Sequence, residues 1–216
     1  MSSHGSPPKV RSMQGWEKVA RRIRVPLGFA TALLYLFELW RHTPRPTAIL
    51  CSLLLVVPGV WLRGYAAGYV KKNRELTQTG PYAYVRNPLY LGSILIAAGF
   101  ALALLSWIMA LALTTMFLII YIPVIASEER FLRATFNDFD DYCRRVPRLI
   151  PRLTPAPAPQ PVQPDEKNHS EVSTGSFSLV LYYRHREYNA AIGAALLYLS
   201  LLLLHPVLAW FARTSH

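Results

Sequence analysis

The chain has 216 residues, of which 52% are hydrophobic and 16% charged, with a formal net charge of +11. Its apolar residues come in long blocks rather than short amphipathic stripes, which points to a membrane protein and away from a soluble domain. The basic residues flank those blocks, where they set membrane orientation, so no nucleic-acid partner is expected, and Cys51 and Cys143 imply neither a disulfide framework nor a metal site.

Residues 1–24 form a basic arm. Within Lys9–Arg24, Val10, Met13, Trp16, Ala20 and Ile23 share one helical face, and Arg11, Lys18, Arg21 and Arg22 share the other. This suits either a helix lying on a membrane surface or a basic tail that orients the next helix. No small-residue cleavage site follows the apolar block that starts near Val25, so no signal peptide is expected. Val25–Trp40 and Thr47–Leu62 are the first two predicted spans. Each is shorter than the roughly 20 residues a spanning helix uses, but has flanks that extend it. Pro58-Gly59 predicts a kink in the second.

Leu89–Leu105 and Trp107–Ala126 are the third and fourth predicted spans, joined by little more than Ser106 and therefore an antiparallel hairpin. Ser93, Ala97 and Ala101 recur every four residues and predict close approach of a neighbouring helix. Thr154–Pro164, TPAPAPQPVQP, reads as an extended proline-rich spacer, and the polar Asp165–Ser176 has the composition of a disordered linker. A fifth predicted span, Asn189–Phe211, lies in a C-terminal appendage (177–216) whose residues do not choose between anchoring, dimerising and shaping a substrate entrance. The fold expected is an all-α, polytopic membrane bundle. It has four core helices in 25–153, a linker at 154–176, the appendage at 177–216, and a cytoplasmic helix after the fourth span.

Orientation follows from Lys and Arg counts: six in the N-terminal arm, five in Arg63–Arg86, six in Arg130–Arg152, two in Arg41–Pro46 and none at the Ser106 turn. The N-terminus and the two longer basic segments are therefore expected on the cytoplasmic side.

Two of those cytoplasmic segments are unlike ordinary loops. Thr79–Gly92 reads TGPYAYVRNPLYLG. Gly80-Pro81 favours a turn, and Asn87-Pro88 can cap and start the third helix. Capping does not explain three tyrosines and Arg86 around one helix start, where free backbone N–H groups and a guanidinium suit an anionic group. In the second segment, Glu128-Glu129 precedes Phe131, Leu132, Phe136, Phe139, Tyr142 and Val146, whose spacing predicts one helix lying back on an apolar surface. The pair reads as a solvated helix exit, or as acceptors for ribose hydroxyls or an amino group.

Taken together, Gly-Pro-Tyr-x-x-x-Arg-Asn-Pro-x-Tyr-x-Gly, a helical hairpin, Glu-Glu-x-x-Leu and Val-Pro-x-x-Ile-Pro resemble the isoprenylcysteine carboxyl methyltransferases and the broader membrane group that includes phospholipid methyltransferases. The resemblance covers roughly residues 45–153. It implies S-adenosyl-L-methionine as cofactor, held at the cytoplasmic helix ends, and a lipid-like or prenylated acceptor arriving from the bilayer. It also implies cofactor contacts at Gly80, Pro81, Tyr82, Arg86, Asn87, Tyr90, Glu128 and Glu129, with Arg86 and Glu129 as the catalytic pair. Asn87 departs from a family histidine, Asn137 from a glycine whose left-handed conformation Asn also tolerates, and Phe139 and Tyr142 from the usual aromatic spacing. Carboxyl O-methylation of an isoprenylcysteine-type group is the leading expectation. Phospholipid amine N-methylation, a membrane reductase and a non-catalytic membrane protein are the alternatives.

Overall fold

The computed structural model describes residues 15–69, 76–157 and 176–214, with side chains over 26–69, 76–157, 176–204 and 206–207. Among the described residues there are helices and no strand. The apolar face expected within Lys9–Arg24 and most of the 154–176 linker lie outside this description. Helix α1 (Gly15–Arg41) runs unbroken through the boundary between basic arm and first apolar block.

Helices α2 (Pro46–Tyr69) and α3 (Pro88–Leu104) run antiparallel in close contact. Glycines permit the approach: a Cβ on Gly59 would lie 2.8 Å from the Gly92 carbonyl oxygen, one on Gly92 would lie 2.7 Å from that of Gly59, and one on Gly99 would strike Val56. The helix continues through Pro58 and seven residues beyond the predicted end at Leu62, so Arg63 belongs to it.

The row Ser93, Ala97, Ala101 does something other than predicted. It faces α4 (Trp107–Met116), and its small side chains leave a cleft of about 650 Å³ between the hairpin helices. The cleft is floored by Leu105, Ser106 and Trp107, and Phe117 and Tyr121 flank its other end. The turn at the floor is made by Leu105 in the left-handed region (φ 50°) and by Ser106, whose hydroxyl accepts the Met109 N–H at 3.1 Å as an N-cap. That hydroxyl also donates to the buried Glu38 carboxylate, tying α1 to the turn.

After α4 comes a π-helical turn, Phe117–Tyr121, and then α5 (Ile122–Thr135). Pro123 has no N–H to give the Ile119 carbonyl, so the α-helical ladder must be interrupted where the π turn sits. The single aromatic-rich helix expected here is two. Phe136 is extended (φ −123°, ψ 119°), and α6 (Phe139–Arg145) follows a short turn. Positive φ among described non-glycine residues occurs at Leu105 and Arg186, so Asn137 does not take the left-handed conformation. The break lets Phe139, Tyr142 and Val146 bury against Leu76, Leu132 and Phe136.

Helix α7 (Leu179–Arg184) and helix α8 (Tyr188–Thr214) return to the bundle. The Tyr35 hydroxyl meets Ser200 Oγ at 2.9 Å and Tyr198 meets Ser52 at 2.8 Å, fixing α8 against α1 and α2. Among the described residues, two helices are long and apolar enough to cross a membrane, Pro46–Tyr69 and the run Trp107–Thr135, and Pro88–Leu104 and Tyr188–Leu204 are shorter apolar helices. Leu50, Leu54, Val57 and Trp61 of α2 and Trp107, Leu111 and Leu118 of the fourth run are exposed. An outward apolar face of this size suits lipid better than water.

Candidate functional site

The C-terminal end of α2, the start of α3 and α5 meet at the end of the bundle opposite Ser106. Between α2 and α3 the chain makes a 3-10 turn, Gly80–Ala83. Gly80 has φ +59° and lies under the Tyr69 ring, which a Cβ would approach to 2.6 Å, so both conformation and space require glycine. Pro81, Tyr82, Ala83 and Val85 are buried, while Tyr84 is exposed. The strand-like tail after α6 is stitched to this turn. Arg86 N–H donates to the Pro147 carbonyl (2.9 Å), Arg152 N–H to that of Tyr84 (3.0 Å), and Ala156 N–H to that of Ala83 (2.9 Å). The Val-Pro-x-x-Ile-Pro stretch therefore braces the tyrosine-rich turn.

Glu129 is 5% exposed and collects the polar groups around it. Arg148 reaches it with Nε at 3.1 Å and Nη2 at 2.5 Å, Arg86 Nη1 lies 3.3 Å from it, and the Asn87 amide donates at 3.5 Å. Asn87 occupies the cap position of α3, but its side chain caps nothing; the amide also donates to the Arg148 carbonyl at 3.2 Å. Arg86 is likewise committed, with Nη1 also on Cys143 Sγ, while its buried Nε has no partner. Within the chain the Arg86 guanidinium is paired with the Glu129 carboxylate.

Glu128, one residue away, is exposed and accepts the Tyr90 hydroxyl at 2.9 Å. Tyr90 packs edge-on to Tyr121 at the upper end of the α3–α4 cleft. Burial first, then the neighbours Tyr142, Glu128, Glu187 and Tyr90, push the Tyr82 hydroxyl above the usual tyrosine range. Tyr142 donates to the Tyr82 carbonyl at 2.8 Å and is also raised by burial, against the opposing pull of Arg86. Of the residues expected at the site, Arg86, Asn87 and Glu129 are thus in direct contact, Tyr90 and Glu128 form a second contact, and the buried Tyr82 hydroxyl is a neighbour of the second. Gly80 and Pro81 shape the turn.

Both motifs meet in one constellation at one end of the bundle, spaced by the hairpin whose turn lies at the other. Residues 46–138 match the phospholipid methyltransferase family. Two curated relatives are similar to the chain over part of its length. Nickel-cobalt-cadmium resistance protein NccN of Alcaligenes xylosoxydans xylosoxydans is 37% identical over 97 residues, 45% of this chain and 45% of that protein. Cobalt-zinc-cadmium resistance protein CzcN of Cupriavidus metallidurans is 36% identical over 97 residues, 45% of this chain and 44% of that protein. The chain thus spans less than half the length of the curated relatives it matches. No solved structure matches it.

Several partners of the site lie outside the phospholipid methyltransferase match. Arg148, Tyr142 and Cys143 follow it in sequence, and Glu187, paired with Arg63, comes from the far side of the linker. Arg148 stands in Val-Pro-x-x-Ile-Pro, a signal that could have identified it. Arg63 reads in sequence as one more basic flank, and Glu187, after Arg184, His185 and Arg186, as the end of a charged stretch.

Proposed function

We propose that the protein is a multi-pass membrane methyltransferase that uses S-adenosyl-L-methionine, with its N-terminus and site on the cytoplasmic side, and that methylates the polar head of a lipid-like acceptor. The observation that carries this is the junction of the tyrosine-rich turn with the acidic doublet through Arg86–Glu129 and Tyr90–Glu128. The family match over the same residues supports it.

The residues present fit such a cofactor. Glu128 is exposed beside Tyr90 and Tyr82 and suits a ribose hydroxyl or an amino group. The unpartnered Nε of Arg86 leaves one donor in the site uncommitted. The cofactor supplies an activated methyl group, so the chain's work is placement. In this reading Glu129, neutralised by Arg86 and Arg148, is the fixed post of the site. Glu128 and Tyr90 form the contact surface, the buried Tyr82 hydroxyl is held near them, and Gly80 and Pro81 hold the turn. The acceptor's apolar chain lies in the α3–α4 cleft, whose upper end reaches Tyr121 beside Tyr90.

The geometry favours an amine acceptor, as in phospholipid N-methylation. Arg86 is already engaged by Glu129, whereas the exposed Glu128 carboxylate can accept a hydrogen bond from an amine. Carboxyl O-methylation of an isoprenylcysteine-type group is the second reading, and Arg148 favours it: its side chain is 48% exposed beside Glu129 and can receive a carboxylate. Radiolabelled methyl transfer to extracted membrane lipids and to prenylcysteine analogues tests the activity. A pH–rate profile with a rising limb near or above neutrality identifies the amine, and a flat profile the carboxylate. Absence of transfer to every acceptor, together with no affinity for S-adenosylhomocysteine, would refute the proposal.

A further inference from the structure

Residues 176–188 lie outside the family match, yet they are fitted to the site-bearing end of α2. Ser178 N–H donates to the Gly68 carbonyl at 2.9 Å, and His185 Nδ1 lies 3.1 Å from that of Ala67. Phe177 stacks on Tyr65 with ring centroids 6.0 Å apart and meets Tyr69 at 6.2 Å. Two α2 glycines make the seat: a Cβ on Gly64 would lie 3.2 Å from the Tyr182 ring, and one on Gly68 would strike Phe177. Tyr69 in turn roofs Gly80. An accessory anchor needs only an apolar helix, and none of this joinery.

The turn between α7 and α8 passes through Arg186 at φ 53° and delivers Glu187 to Arg63, whose Nη2 donates to its carboxylate at 2.8 Å. The Arg63 side chain crosses α3 at Gly92, where a Cβ would sit 2.7 Å from its Cγ. Beyond that crossing, Nη1 donates to Ser93 Oγ at 2.5 Å and to the Leu89 carbonyl at 3.3 Å. Ser93 lines the α3–α4 cleft, and Leu89 precedes Tyr90. Both members of the pair are largely sheltered, with side chains 24% and 13% exposed.

We propose that the C-terminal segment completes the acceptor site, with Glu187 as a positioning residue that acts through Arg63 to fix Ser93 in the cleft wall and the first turn of α3. The proposal rests on the methyltransferase reading in calling the cleft the acceptor's. Without the Glu187 charge, Arg63 keeps neutral acceptors only, and the most strongly held of its bonds is lost.

The test uses the full chain in detergent, with dansylundecanoic acid as cleft probe and S-adenosylhomocysteine as cofactor-site probe. Ala97→Phe, which fills the cleft, is expected to abolish binding of the fatty-acid probe. Glu187→Gln is expected to weaken that probe about tenfold while leaving S-adenosylhomocysteine affinity near wild type, with a lowered thermal midpoint from the charge left on Arg63, and Glu187→Asp to recover most of the loss. Unchanged probe affinity in Glu187→Gln overturns the proposal, as does a loss that Glu187→Asp does not repair, or one matched by an equal loss of S-adenosylhomocysteine affinity. A probe that Ala97→Phe fails to displace also overturns it. Wild-type protein that binds the fatty-acid probe but not S-adenosylhomocysteine would sink the methyltransferase reading and leave the structural inference standing.

Discussion

Replacing Glu129 by alanine strips the counter-charge from Arg86, whose side chain is only 13% exposed and whose Nε already has no partner. Breaking a buried pair in this way costs about 3–5 kcal/mol, because the surviving charge stays desolvated. In a chain of this length that corresponds to a fall in thermal midpoint of roughly 10 °C. Glu128→Ala removes an exposed carboxylate with a single described bond, to Tyr90, and should move the midpoint by only about 1–2 °C. Affinity for S-adenosylhomocysteine should show a different pattern. Loss of a charged acceptor from the contact surface weakens binding by about 10- to 100-fold in Glu128→Ala. Intrinsic-fluorescence melting and isothermal titration on detergent-purified protein read both quantities. Equal destabilisation by the two substitutions, or Glu129→Ala with a wild-type midpoint, would refute the division of labour between adjacent glutamates.

Gly80→Ala should abolish S-adenosylhomocysteine binding, measured by calorimetry, because the turn needs φ +59° and the Tyr69 ring leaves no room for a methyl group. Phe139→Ala empties a 1%-exposed site beneath the brace and should cost about 3–5 kcal/mol, seen as a lowered thermal midpoint. The hydroxyls of Tyr82 and Tyr142 are raised by burial, so the folded chain keeps two protons that the unfolded chain releases near pH 10. Their contribution to stability is therefore complete below about pH 10 and is lost as pH rises beyond it, and Tyr142→Phe should flatten that decline in an alkaline melting series.

The hairpin around Ser106, the helix start at Pro88 and the two motif segments were legible because each is written locally, in an apolar block, a proline or a motif. Partnership between distant residues was not. Four-residue spacing marks Ser93, Ala97 and Ala101 as small, but a small residue permits a close contact or a cavity alike, and only the position of α4 decides. Gly92 and Gly99 carry the close contact instead, since they face α2. Asn87 reads as a cap by sequence position, yet the Glu129 carboxylate and the Arg148 carbonyl claim its amide. The break at Phe136 escaped the periodicity, because Phe136, Phe139 and Val146 keep helical spacing on both sides of a turn. Glu187 gave no signal because its partner Arg63 lies 124 positions away.

The widened turn at Phe117–Tyr121 works as a phase shifter between the apolar half of its run and the half that bears the acids. An α-helix advances about 100° per residue, so one residue of slack there decides which side chains point at Tyr90 and Arg86. A chain shortened by one position in that turn would keep the same apolar length while swinging both glutamates off the constellation. Aim and span are thereby set by separate stretches of one rod, and the width of a single turn governs the first without touching the second.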